Sequence, residues 1–316
     1  MPKLMSKIIF AGTPDFAAIH LKALLDAGII PCAVYTQPDR PAGRGHKLTP
    51  SPVKELALAH GIEVFTPVNF KNQEDISKFL SFDADLAIVV AYGVILPEAI
   101  VNGPRLGCIN IHGSLLPKYR GAAPIQRALL DGCSETGVCI MRLVKELDAG
   151  DVLVSAKLPI TDSDTSGSLF EKLAKLGAET LVKYLPKILN DEIKGTAQDS
   201  SQVTFAKKLS KEEAKLNFND SAKNCDLKVR GFYPWPVSTI SINDTTFKLF
   251  KTKVVSDNKG QEAGTIIDIN KEGILVACKE GALYLQTIQA PGKGRVNAAD
   301  LARSRSDIFS VGKKFV

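Results

Sequence analysis

No apolar run in this 316-residue chain approaches the roughly 20 residues that span a bilayer, which excludes a helical membrane protein. Met1–Ser6 leads straight into the short apolar Ile8-Ile9-Phe10, so no secretory signal or Arg-rich transit segment is read there. A cytoplasmic location is expected, with translation starting at Met1 or Met5. Cysteine is sparse and scattered: six residues, no Cys-x-x-Cys and no His at zinc spacing. That pattern argues against a disulfide framework and a structural metal, and predicts reduced thiols used as small core side chains. The pattern Gly-x-Gly-x-x-Gly is missing after the first apolar run, where Gly12-Thr13-Pro14 stands instead, so a dinucleotide site is not expected. There are no internal repeats or low-complexity tracts. The one tryptophan, Trp235 in Phe232-Tyr233-Pro234-Trp235-Pro236, is expected to anchor the second domain to the linker rather than stack a base.

What is present is an ordinary globular composition, 45% hydrophobic and 23% charged, in a chain longer than one core usually supports. Two domains are therefore expected, over residues 1–190 and 211–316, joined by a polar linker at 191–210. Charge is divided unevenly. Residues 1–206 carry 21 Lys+Arg against 22 Asp+Glu, whereas residues 207–316 carry 19 against 12. A basic second half predicts a polyanionic partner.

The first domain alternates short apolar runs with helical spacing. Ile8–Ala11, Cys32–Thr36, Val64-Phe65, Leu86–Val90, Ile109–His112 and Val138–Met141 read as buried strands. Asp15–Ala27, a segment opened by Ser51-Pro52, Gln73–Leu80 and Thr165–Leu189 read as helices. This order predicts an α/β fold with a doubly wound, mostly parallel sheet. Beyond a helix at Asp220–Gly231, short alternating segments punctuated by Gly, Asn and Asp predict a small antiparallel barrel or sandwich.

The densest stretch is Gly107–Pro124, GCINIHGSLLPKYRGAAP. Alternation along a strand puts Asn110 and His112 on one face. An amide and an imidazole on an apolar strand call for partners, because an unsatisfied buried polar group costs about 1–3 kcal/mol. The strand ends at Gly113, where open α/β sheets place ligands. Asp148 follows another apolar run and is expected to approach His112.

The order Asn110, His112, Ser114-Leu115-Leu116-Pro117, Asp148 resembles the folate-dependent formyltransferases. So do IIFAGTPDF at 8–16, TQPDRPAGRG at 36–45, Val89-Val90-Ala91-Tyr92-Gly93 and Pro234-Trp235-Pro236. The resemblance runs from about Lys7 to the C-terminus and is strongest to members acting on methionyl-tRNA. It implies a Rossmann-like formyltransferase domain, then an OB-like barrel. It implies transfer of a formyl group from 10-formyltetrahydrofolate to the α-amine of initiator methionyl-tRNA, by a monomer without metal or membrane. Asn110 and a protonated His112 would stabilise the oxyanion while Asp148 orients the imidazole. A folate pocket is expected at Ser114, Leu115, Leu116, Pro117, Val90 and Tyr92. The Pro- and Gly-rich loop 37–49, with Arg40, Arg44 and Lys47, and the basic Lys207-Lys208 pair are expected to touch tRNA. Rival readings are an amino-sugar nucleotide or glycinamide ribonucleotide acceptor, a non-catalytic RNA-binding module, and a hydrolase releasing formate.

Overall fold

A computed structural model describes residues 6–42 and 47–315. The chain forms two compact units. The first holds residues up to Pro124, Glu135–Pro159 and Phe170–Ala206; the second holds Ile125–Ser134, Ile160–Leu169 and Lys207 onward.

In the first unit the elements run β1 (Ile8–Gly12), α1 (Asp15–Asp26), β2 (Ala33–Tyr35), β3 (Arg40–Ala42), β4 (Lys47–Thr49), α2 (Pro52–Ala59), β5 (Val64–Phe65) and α3 (Gln73–Leu80). They continue with β6 (Leu86–Val90), α4 (Glu98–Val101), β7 (Cys108–His112) and β8 (Arg120–Gly121). After α5 (Pro124–Leu130), which from Ile125 on belongs to the second unit, come β9 (Glu135–Arg142), β10 (Val152–Pro159), α6 (Ser166–Leu189, in the first unit from Phe170) and β11 (Phe205–Ala206). Helix starts follow local chemistry: the Ser51 hydroxyl accepts the Lys54 N–H at 3.0 Å with Pro52 in the first turn.

Seven strands form one sheet in the order β10-β9-β7-β6-β1-β2-β5. β1, β2, β5, β6 and β7 pair in parallel, while β9 pairs antiparallel with both β7 and β10. β1 and β6 are buried throughout, as expected of strands covered on both faces. The chain leaves β1 toward β2 and β5, then returns with β6 on the other side of β1. The strand order therefore reverses between β1 and β6, and open α/β sheets bind ligands beyond the C-terminal strand ends at such a switch point. The doubly wound, mostly parallel expectation is met.

Three features depart from the sequence reading. Part of the 37–49 loop is a hairpin, β3 pairing with β4 through Arg40↔Thr49 and Ala42↔Lys47. Arg44 and His46 lie outside the described residues. β10 was not expected; as an edge strand with exposed Ser155 and Lys157 it lacks the continuous apolar run of its neighbours. The polar stretch read as a linker is in part built into the first unit: Thr196 bridges Val152, and β11 pairs with β8.

The second unit contains α7 (Ala222–Gly231), β12 (Ser238–Ile242), β13 (Thr245–Val255), β14 (Ile266–Asn270), β15 (Gly273–Ala277), β16 (Ala282–Gln289), β17 (Arg295–Asn297) and α8 (Ala298–Ser304). Its antiparallel sheet runs β12-β13-β16-β15-β14, with β17 on β16. Ile240, Phe247, Leu249, Leu285 and Phe309 are among its core residues. Trp235 is 51% exposed and lies outside that core.

Candidate active site

β7 delivers the two residues that alternation places on one face. The Asn110 side chain is partly exposed, and its carboxamide makes no hydrogen bond among the described residues. His112 is 6% exposed. Its Nε2 lies 2.8 Å from the Tyr119 carbonyl, and because a carbonyl only accepts, Nε2 carries a hydrogen. Nδ1 faces Asp148 Oδ2 at 3.8 Å, inside ion-pair range and outside hydrogen-bond range. The imidazole is therefore oriented by the Tyr119 carbonyl, and Asp148 supplies charge beside it. This differs from the expectation that Asp148 orients the ring and that His112 offers a free N–H next to Asn110.

Asp148 arrives on the loop between β9 and β10, 7% exposed and at φ 51°. Its Oδ2 accepts the Gly121 N–H at 2.8 Å. Gly121 itself sits at φ 117°, and a Cβ there would meet the Ala206 carbonyl at 2.9 Å, so β8 and β11 require glycine at this point. Arg120, only 6% exposed, binds Gln198 Oε1 through Nε at 3.0 Å and Nη2 at 2.9 Å. Gln198 Nε2 in turn donates to the Asp148 and Gly150 carbonyls, both at 2.8 Å. Sequence reasoning singled out neither Arg120 nor Gln198. Arg120 lies inside the Gly107–Pro124 motif; Gln198 has no apolar periodicity around it to mark it.

The loop after β7 keeps Leu115, Leu116 and Pro117 partly exposed. Its Leu116 N–H reaches Cys139 Sγ at 3.3 Å, and the Ser114 hydroxyl donates to the Lys118 carbonyl at 2.7 Å. Ser114 is fully buried and occupied in closing this turn, so it offers no free hydroxyl to a ligand. Val90 and Tyr92 are buried as well, so neither offers side-chain surface to a ligand. The Tyr92 carbonyl gathers the Thr13 hydroxyl at 2.8 Å and Gln37 Nε2 at 3.0 Å, tying together the loops after β1, β2 and β6. Buried Cys108 on β7 has its thiol pushed up to about 12 by desolvation, which leaves no thiolate for nucleophilic work.

Arg40 and Lys47 are exposed on the β3–β4 hairpin. In the second unit Lys207 and Lys208 are exposed while their carbonyls accept from Arg127, whose guanidinium also pairs with Glu213 at 2.6 Å. Lys248, Lys251 and Lys253 are exposed along β13, and the Arg295 guanidinium lies 3.9 Å from the Phe250 ring centroid. Among the described residues no group of three His, Cys, Asp or Glu side chains could hold a metal, and no helix is long and apolar enough to cross a membrane.

Several solved structures share this architecture. An N-formyltransferase from Helicobacter canadensis, solved with folinic acid and dTDP-3-aminofucose, is 20% identical at a TM-score of 0.67, over 90% of this chain and 99% of that one. WlaRD, a sugar 3N-formyl transferase solved with dTDP and 5-N-formyl-THF, is 20% identical at 0.64, over 92% and 100%. HypX from Aquifex aeolicus with tetrahydrofolic acid is 15% identical at 0.61, over 95% of this chain and 47% of that one. At these identities the likeness concerns the fold. Sequence models of the two domains match more directly, the formyl transferase domain over residues 6–185 and the formyl transferase C-terminal domain over 208–306. This chain belongs to the formyl transferase family.

Proposed function

We propose that the chain transfers a formyl group from 10-formyltetrahydrofolate to the α-amine of initiator methionyl-tRNA. The observation that carries the chemistry is the unengaged Asn110 carboxamide on the same strand face as a histidine opposed by a buried carboxylate. Residues suited to the donor are present: Leu115, Leu116 and Pro117 keep apolar surface for a flat ring, and the strand ends supply backbone polar groups. The folate supplies a formyl carbon carried on nitrogen.

Asn110 presents its N–H to the formyl oxygen, where negative charge gathers as the amine nitrogen bonds to carbon. One such donor is worth about 3 kcal/mol. His112 keeps its Nε2–H on Tyr119, so in its neutral form Nδ1 holds the lone pair that takes the amine proton. Asp148 stabilises the resulting imidazolium from 3.8 Å. His112 then returns that proton to the departing folate nitrogen as the carbon–nitrogen bond breaks, which leaves the formylated amine, the deformylated folate and the enzyme unchanged.

The acceptor assignment rests on motifs outside that trio and on charge. The exposed lysines of β13 and Lys207-Lys208 give the second unit basic surface that a small acceptor does not need. Labelled formyl transfer should therefore appear with charged initiator tRNA and not with uncharged tRNA. tRNA binding should fall steeply as salt rises. Formylation of an amino-sugar nucleotide in preference to charged tRNA would replace this acceptor by the kind named for the structural relatives. Formate release without acceptor would make the chain a hydrolase.

A further inference from the structure

The stretch after α6 looks like spacer in the sequence, yet it reaches the Asp148 loop from behind. Gln198 uses both amide hydrogens there, on the Asp148 and Gly150 carbonyls, and its Oε1 takes two N–H groups of Arg120. The neighbouring Gly121 N–H holds the Asp148 carboxylate. The result is a closed ring, in which residues 120–121 and Gln198 hold the main chain and the side chain of Asp148 together. Thr204 extends the hold, accepting the Tyr119 N–H on its hydroxyl at 2.9 Å and the Arg120 N–H on its carbonyl at 2.9 Å. Tyr119 is the residue whose carbonyl orients His112.

Asp148 needs such a hold. At φ 51° it sits in the left-handed region, where a residue with a Cβ stays only if its surroundings fix it. A carboxylate 3.8 Å from its imidazole also has no hydrogen bond to that ring to keep it in place. We infer that Gln198 is a positioning residue for the reaction, setting the Asp148-to-His112 separation through the backbone of the 148–150 loop. The side chain is suited to this and its relatives are not. Glu has no donors for two carbonyls, and Leu has neither donors nor acceptor.

The inference rests on the reading that Asp148 takes part in transfer, and the experiment separates the two. Using whichever amine the wild-type chain formylates, kcat and both KM values are measured for Gln198→Leu, Gln198→Glu and Asp148→Ala, with a melting curve for each. Both Gln198 variants should lower kcat roughly 10- to 100-fold, the range expected for about 1 Å of misplacement, with both KM values within about twofold. Gln198→Glu keeps Arg120 paired, so its loss reports the released loop, and it carries the test if Gln198→Leu fails to fold. In an Asp148→Asn background Gln198→Leu should add no further loss. Wild-type kcat in the Gln198 variants beside an inactive Asp148→Ala overturns the inference alone. So does a rise in KM at constant kcat, or an independent multiplicative loss in the double variant. Full turnover in Asp148→Ala overturns the reading beneath it.

Discussion

Among the described residues of the first unit two histidines are buried, and they differ in what faces them. His20, on α1, is fully buried; its Nδ1 lies 2.7 Å from the Phe16 carbonyl, and its Nε2 has no partner. A Cβ on Gly177 of α6 would come within 2.6 Å of that Nε2, so apolar packing closes over the ring. Desolvation takes its pKa down to about 4. His112 is nearly as buried, but its second nitrogen faces a carboxylate and its strand neighbour Asn110 is partly exposed. Burial without a charged partner leaves His20 enclosed, whereas the carboxylate opposite His112 and the opening beside it suit the proton transfer proposed for it.

The comparison breaks most directly at His112. His112→Ala should reduce formyl transfer by about 10²–10⁴-fold while the folded state survives, whereas His20→Leu should retain most of its turnover. Equal losses in the two variants, measured as kcat, would erase the distinction. Asn110→Ala should cost about 10²–10³-fold in kcat, since the lost donor acts where charge develops.

His20 gives the next largest effect, and it concerns stability. Its folded pKa of about 4 lies below the ordinary value of 6.5, so the unfolded chain takes up the proton first as pH falls. This contribution is whole above about pH 6.5, declines between 6.5 and 4, and amounts to about 3 kcal/mol. Denaturant unfolding at pH 7.5 and pH 4.5 should show a smaller acid loss in His20→Leu than in the wild type. An identical pH dependence would mean that His20 finds a partner for its charge.

Gly177→Ala tests the same packing by steric means. The added methyl presses on the His20 ring and should destabilise by about 1–3 kcal/mol, read as a lower midpoint in denaturant. A neutral result would show that α1 and α6 separate easily here, and that the ring is less enclosed than its burial implies.

The sequence made much of the first sheet readable. β1 and β6 are apolar runs too short for helices, and β7 carries its two polar residues at a spacing that fixes their shared face. In the second unit β12 to β16 are readable from alternation and turn residues, whereas the three-residue β17 is not. β10 escapes the sequence reading because, as an edge strand, it lacks the continuous apolar run of its neighbours, and the β3–β4 pairing because Pro and Gly obscure it. Gln198 was hidden for another reason. Its role depends on four hydrogen bonds to residues 48 to 78 positions away, and no local pattern records them.

What the chain determines by itself is therefore local: which runs are buried strands, and that Asn110 and His112 point the same way, because side-chain alternation is a property of one strand. Only the tertiary structure decides that Asp148 stops 3.8 Å from the ring, and that Tyr119 takes the Nε2 hydrogen and so leaves Nδ1 toward the acid. Those outcomes depend on loop closure and on side chains meeting across long sequence separations, where the energy lies in the geometry of the assembled groups and not in any neighbouring residue.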